Sequence, residues 1–372
     1  MSEGKNRVLI VSKPLAPPWN DSSKNLARGI VDHARRTEFN VLTVPGFSFS
    51  SPRIVCEPVY RTGGDYAPSR TQNLRVLLRL ARPDPEIEIL HFFFAPNPVT
   101  STVCRWLTRF KRKKTVQSVC SPPASYENLS RLIFTDVTVV LSDYHLKLFR
   151  DAGIDNVIRI YPGVEIPEKT TLRENLLRKE LNLTDQPVIL YPGDYEFSGG
   201  HEIILEILPR LAEKFPRLKL IFACRPKTDR SRTIEAGIRK DLGEMNLTDR
   251  VIFMGTVEDM EELYDLTAVC LFPARSLYKK MDLPLTLLEC LARGIPVITA
   301  DIPPVNEAVA DEAGVAVDPE DPMEVFAAVS GILEDPDRLH SLGKAGQKRA
   351  AAEFDIIKIA ARYEELYRRM VK

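Results

Sequence analysis

AVCLFPARSLYKKMDLPLTLLECLARGIPVITADIPPVNEAV, residues 268–309, decides the fold. Residues 268–272 are a short apolar run, β-branched and aromatic enough for a buried strand. A polar loop carrying Lys279 and Lys280 follows. Pro284 then opens a helix at the first helical position, where a missing N–H costs nothing. Leu285, Leu288 and Leu291 give that helix one apolar stripe, and Gly294 ends it. Residues 295–299 read as the next buried strand, and a proline-rich loop leads to a short helix carrying Glu307. Strand, loop, helix start and strand is a layout that collects anions at the ends of parallel strands.

The first-turn N–H groups near Leu285, Thr286 and Leu287 have no intrahelical acceptor, and the helix dipole adds positive potential. A diphosphate fits such a place. Glu289 lies four residues after Leu285 and three after Thr286, and helical side chains lean back toward the N-terminus. Its carboxylate is therefore set to accept hydrogen bonds from sugar hydroxyls beside a docked phosphate. The alternative is a capped surface helix with a solvated glutamate.

These residues resemble the donor site of the retaining "group one" glycosyltransferases of GT-B architecture. Members carry a Glu, seven residues, a second Glu, then A-x-G-x-P-V-I and a later Glu. Here Glu289 is followed by Ala292-Arg293-Gly294-Ile295-Pro296-Val297-Ile298, with Glu307 beyond. The first Glu of the pair falls on Met281, with Asp282 beside it. The resemblance implies an α/β fold of two Rossmann-like domains whose parallel sheets face a cleft. It implies transfer of a sugar from a UDP- or GDP-sugar to an acceptor hydroxyl, with retention and without metal or other cofactor. In the family the leaving phosphate helps deprotonate the acceptor, so no dedicated base is required. The acceptor is a glycan, a lipid-linked sugar or a small molecule.

Length and composition agree. A chain of 372 residues exceeds what one core usually supports. Lys+Arg and Asp+Glu both number 51, so no global charge calls for nucleic acid. The six cysteines have no C-x-x-C spacing and several lie in apolar runs, as reduced core thiols do. The five histidines are isolated, which argues against a metal cluster. With no leader-like or membrane-length apolar run, the expected location is the cytoplasm, with contact at the inner membrane face as an option. The N-x-[ST] matches at Asn128, Asn182 and Asn246 are then chance.

Strand and helix patterns alternate through the first half: strands at 8–12, 41–44, 54–59, 87–92, 115–119, 137–141 and 157–161, with helices from 22, at 73–82, at 99–110 and from 142. Such pairs imply a parallel sheet covered on both faces. Pro162-Gly163-Val164-Glu165-Ile166-Pro167-Glu168 breaks the alternation as a linker does. A helix near 172–181 and a second βα series follow. The reading is a first domain over 1–163, an acceptor side by the resemblance, and a donor-binding domain over 164–354. The terminal helix 355–372 crosses back to the first domain in relatives.

Further site residues come with their plainer alternatives. Gly193, Gly199 and Gly200 let backbone approach a phosphate or sugar, or simply make a turn. Relatives carry an Arg and a Lys in this loop, where the chain has Asp194 and Gly199. The missing cations are sought in loops at strand ends: Arg225 first, then Lys227 and Lys280. Leu283 and Pro284 complete the donor loop. Asn20, Asp21, Ser22, Ser23 and Lys24 follow the first strand, a crevice position in an open parallel sheet. There Asp21 and Ser22 are N-cap candidates and Lys24 a phosphate cation. By the resemblance, Asp282 and His91 are the catalytic candidates, His91 standing where relatives have a cleft histidine; a structural histidine is the alternative. The run RWLTRFKRKK, residues 105–114, offers six basic residues around Trp106, Leu107 and Phe110 for anionic lipid, against a solvated helix end. Two other functions stay open: an impaired homologue acting as a partner subunit, and a nucleotide-sugar epimerase. The epimerase needs paired acid/base carboxylates, and the sequence offers no convincing pair.

Overall fold

The computed structural model describes residues 6–63, 69–82, 84–109, 113–123, 126–168, 176–257 and 259–372. Of the expectations above, Phe110, Lys111, Arg112 and the start of the helix near 172–181 lie outside them. The chain divides into two units. The first comprises Met1–Val164, Lys280–Asp282 and Phe354–Lys372; the second comprises Glu165–Lys279 and Leu283–Glu353.

Strands β1 (Arg7–Val11), β2 (Glu38–Leu42), β3 (Ile54–Glu57), β4 (Ile89–Phe93), β5 (Lys114–Ser118), β6 (Val137–Val140) and β7 (Val157–Arg159) build the first sheet. It is parallel, in the order β3-β2-β1-β4-β5-β6-β7. The chain leaves β1 toward β2 and β3, then returns to β1's other side with β4. The crevice at the carboxyl ends of β1 and β4 is thus the switch point of this sheet. Helices α1 (Ser22–His33), α2 (Arg70–Ala81), α3 (Pro98–Arg109), α4 (Leu129–Leu132) and α5 (Asp143–Asp151) connect these strands. The second strand begins at Glu38, earlier than its apolar run suggests. Asn40 is at home there because its amide donates to Glu57 at 2.7 Å, which also holds Arg79.

The second sheet, also parallel, runs β10-β9-β8-β11-β12-β13. Its strands are β8 (Val188–Tyr191), β9 (Lys219–Ala223), β10 (Val251–Met254), β11 (Val269–Phe272), β12 (Val297–Ala300) and β13 (Val315–Val317). Helices α6 (Leu176–Glu180), α7 (Gly200–Lys214), α8 (Asp229–Glu244), α9 (Met260–Leu266), α10 (Leu285–Ala292), α11 (Pro322–Leu333) and α12 (Pro336–Arg349) accompany it. Strands β8 and β11 are buried throughout, so they read as continuous apolar runs. The switch point of this sheet lies between them.

The last helix, α13 (Ile356–Val371), belongs to the first unit. Its Ile356 fills the space above Gly29 of α1 and Gly163, where a Cβ would come within 2.9 and 2.7 Å of it. Glu364 accepts from the backbone N–H groups of Arg36 and Thr37 at 2.5 and 2.8 Å. The three sequon asparagines, Asn128, Asn182 and Asn246, all have φ between 52 and 56°. They occupy left-handed positions that asparagine tolerates better than most residues. The six cysteines are unpaired thiols, and only Cys56 is not buried.

Candidate functional site

In the second unit, the loop after β8 is built around Tyr191. A Cβ at Gly193 would lie 2.0 Å from the Tyr191 ring, and one at Gly200 2.9 Å from its hydroxyl. That hydroxyl meets Ser198 Oγ at 3.0 Å. Gly199 has φ +69° and caps the start of α7. The glycines are therefore required by the loop's own packing, whatever binds there. Asp194, which stands where relatives have a cation, accepts from the N–H groups of Glu196 and Phe197 at 2.8 and 2.6 Å. Its carboxylate shapes the turn.

The loop after β11 faces it. Arg275 N–H donates to Ser198 O at 2.7 Å, and the Arg275 side chain lies over Gly199. The guanidinium reaches Glu202 and Glu320 at 2.8 and 3.1 Å, both well exposed. Lys279, at φ 60°, sets its ammonium 4.6 Å from the centre of the Phe197 ring. Arg275 escaped the sequence reading. Its signal was present in its position three residues beyond the end of β11, at the switch point. Arg225 is half-buried in the loop after β9, and Lys227 beside it is exposed. Cys224 Sγ, 3.7 Å from Tyr191 O, ties that loop to the end of β8.

Pro284 is the N-cap of α10, with φ −56° and ψ 128°, and not the first helical residue. The difference has a consequence: proline offers no side-chain acceptor. Pro284 O accepts from Leu287 and Leu288 N–H. The N–H groups of Leu285 and Thr286 have no acceptor among the described residues and point where the dipole is positive. Leu283 and Leu285 are buried and anchor this turn.

One turn further, the Glu289 carboxylate accepts from the Tyr264 hydroxyl. Burial pushes the Glu289 carboxyl above its usual value, against the lowering effects of Tyr264 and Arg293; Glu165 adds to the rise. Arg293 lies over the Tyr264 ring at 4.8 Å and reaches Glu261 at 3.4 Å. Glu289 is thus held by its neighbours and is not a freely solvated side chain.

In the first unit, Asp21 is the N-cap of α1, accepting from Ser23 and Lys24 N–H. Lys13 Nζ sits 2.6 Å from the same carboxylate. Ser22 is exposed and Asn20 half-exposed, while Ser23 Oγ donates to Asp21 at 2.6 Å. Lys24 does not serve as an open phosphate cation. It is 2 % exposed, and its ammonium donates to Pro18 O and Gly63 O at 3.0 and 3.1 Å. Burial lowers its pKa to about 8.

Two catalytic candidates are also placed otherwise than expected. His91 sits inside β4, fully buried, with Nδ1 2.6 Å from the Tyr367 hydroxyl and Nε2 2.9 Å from Ser118 Oγ. Burial drives its pKa down to about 3, so it stays neutral as a core hydrogen-bonding group. The structural alternative holds for it. Asp282 is 3 % exposed, and its Oδ2 is 2.6 Å from both Ser142 Oγ and His145 Nδ1. Met281 beside it is buried as well. Neither 281 nor 282 presents a carboxylate to solvent. Lys280 remains half-buried in the same segment. Among the described residues no group of three or more His, Cys, Asp or Glu side chains is arranged to hold a metal ion. No helix among them is long and apolar enough to cross a membrane.

Residues 173–349 match the family described as glycosyl transferases group 1. Alpha-D-kanosaminyltransferase of Streptomyces kanamyceticus is 25% identical over 206 residues, covering 54% of this chain and 50% of that one. A GDP-mannose-dependent monoacylated alpha-(1-6)-phosphatidylinositol monomannoside mannosyltransferase of Corynebacterium glutamicum is 26% identical over 244 residues, 62% of each. The chain thus spans from half to about three-fifths of the length of these relatives. Among solved structures, sucrose-phosphate synthase from Thermosynechococcus elongatus superposes with a TM-score of 0.78 at 20% identity, over 98% of this chain and 99% of that one. HepE from Anabaena in complex with UDP-glucose gives 0.76 at 16% identity, over 97% and 98%. The chain carries the GT-B fold, and its residues 173–349 match the model of the glycosyl transferases group 1 family.

Proposed function

We propose that the protein transfers a glycosyl group from a nucleoside diphosphate sugar, UDP- or GDP-linked, to an acceptor hydroxyl, with retention and without a metal ion. The observation that carries this reading is the start of α10 at the β8/β11 switch point. Two N–H groups there lack acceptors among the described residues, and a held carboxylate, Glu289, lies one turn on. A diphosphate docked on Leu285 and Thr286 gains two charge-assisted hydrogen bonds and the helix dipole. The same contacts favour the leaving group as the glycosidic bond breaks. Glu289 then receives the ribose hydroxyls. Arg275 and Arg225 are the cations best placed by their loops to supply the charge that the loop after β8 lacks. The match of residues 173–349 to the group 1 family supports the reaction class, and the lipid-linked acceptor named for the Corynebacterium relative supports a lipid-linked sugar among the acceptors to try.

The test is calorimetry with UDP, GDP and their sugars, followed by product analysis. NMR coupling constants of donor and product give the stereochemistry. Nucleotide binding followed by transfer with an inverted anomeric centre refutes retention. Failure of every nucleotide to bind refutes the site.

One observation favours a second reading, a binding homologue that serves a partner subunit. Met281 is buried and Asp282 is sealed against Ser142 and His145, so the first carboxylate of the family's pair has no accessible counterpart. Tight nucleotide binding with neither transfer nor donor hydrolysis is its signature.

A further inference from the structure

Helices α2 and α3 cover the same face of the first sheet. Val76 and Leu80 of α2, with Cys104 and Leu107 of α3, pack into one apolar cluster around Leu90 and Phe92. The sides turned away from that cluster are unusual in two respects. On α2, Leu74 and Leu78 are 56% and 63% exposed; on α3, Val99 and Trp106 are 75% and 67% exposed. These pairs, four and seven residues apart, each line the outward stripe of their helix.

The second respect is charge. Residues 70–82 and 98–109 contain Arg70, Arg75, Arg79, Arg82, Arg105 and Arg109 but no Asp or Glu, in a chain whose charges balance overall at 51 and 51. Arg79 is neutralised by Glu57 and Asp84, and Arg105 reaches the carbonyls of Arg131 and Ile133. Arg70, Arg75 and Arg109 are exposed. Helical periodicity puts Arg70 beside Leu74, Arg75 beside Leu78, and Arg109 beside Trp106.

We propose that the outward faces of α2 and α3 dock on an anionic lipid surface. Leu74, Leu78, Val99 and Trp106 enter the headgroup–acyl boundary while Arg70, Arg75 and Arg109 pair with lipid phosphates. A polynucleotide uses the arginines but leaves three aliphatic side chains in water. A bilayer uses both, since apolar burial and attraction to anionic headgroups add at an interface. Indole sits favourably at that depth. The proposal is independent of the glycosyl-transfer reading and is tested without it.

Full-length protein is sedimented with vesicles of phosphatidylcholine alone and of phosphatidylcholine mixed with phosphatidylglycerol. The expected result is binding to the mixed vesicles, weakened by salt, with a blue shift of tryptophan emission that is lost in Trp106→Phe. Arg70→Gln/Arg75→Gln lowers partitioning by about fivefold per arginine. Leu78→Ser/Trp106→Ser lowers it by about tenfold or more. All four positions are exposed, so circular dichroism and Tm are expected to stay unchanged. No binding to mixed vesicles at low salt overturns the proposal. So does binding that the arginine pair abolishes but Leu78→Ser/Trp106→Ser leaves intact, which marks a surface for soluble polyanions.

Discussion

Glu289→Gln separates what the carboxylate does for binding from what it does to stability. Glutamine keeps an oxygen that accepts from Tyr264, so the fold retains that contact. It removes the charge that strengthens any hydrogen bond from a ribose hydroxyl. Charged hydrogen bonds contribute about 1.5–3 kcal/mol and neutral ones about 0.5–1.5. The loss in nucleotide affinity is therefore about 1–1.5 kcal/mol, roughly 5- to 15-fold. Stability moves the other way. The folded carboxyl titrates above its ordinary value of 4.5 because burial disfavours the charge. Its contribution is therefore fully present below the unfolded value and lost as pH rises through the folded one. Above the unfolded value the native chain bears a cost, of burying the charge or of holding a proton, that glutamine relieves. Glu289→Gln should raise Tm at pH ~8 and lose that advantage at pH ~4. Calorimetry gives the affinity, and thermal unfolding at the two pH values gives the stability. Unchanged affinity removes Glu289 from the site. An equal Tm change at both pH values refutes the electrostatic argument.

Tyr264→Phe removes the hydrogen bond that holds the Glu289 carboxyl down, so the acid limb of a nucleotide-binding pH profile should shift to higher pH. Arg275→Gln and Arg225→Ala should each weaken nucleoside diphosphate binding by about 1.5–3 kcal/mol and nucleoside binding far less; equal losses for both ligands deny a phosphate contact. Gly193→Ala forces a Cβ into the Tyr191 ring and should cost about 1–3 kcal/mol of stability in a denaturant titration. Transfer activity should persist in EDTA, and full loss restored by Mg²⁺ or Mn²⁺ contradicts the metal-free reaction.

The fold was legible because its signals are local. Apolar runs of strand length, separated by Pro and Gly punctuation and helical stripes, identify βα units without any knowledge of what packs where. Glu289 was legible for the same reason: its relation to the start of α10 is fixed by helical spacing alone. What stayed hidden depends on contacts distant in sequence. His91 looks like a loop-end histidine until Tyr367, 276 residues away, meets its Nδ1. Lys24 looks like a phosphate ligand until the carbonyls of Pro18 and Gly63 close on its ammonium. A sequence shows that a side chain is capable of chemistry. It does not show whether the fold has already used that capacity.

Asp282 makes the point with a consequence for mechanism. Ser142 caps α5 and His145 lies in its first turn, so one carboxylate ties the segment 280–282 to the start of that helix. Removing one partner of such buried hydrogen bonds and leaving the other unsatisfied costs about 1–3 kcal/mol, which suits a latch better than a group that must face a sugar. The same holds at Asp194, whose carboxylate shapes the turn after β8. Two acids that read as replacements for donor-site residues are thus architectural. Among the described residues, the polar groups a ligand can recruit at the β8/β11 switch point are the Leu285 and Thr286 N–H groups, Arg275, which now reaches the exposed Glu202 and Glu320, and Glu289, which now accepts from Tyr264. That inventory suits binding a diphosphate and steadying it as it leaves. It supplies no acid/base pair, which is why an epimerase fits these residues less well than a transferase whose leaving phosphate takes the acceptor's proton.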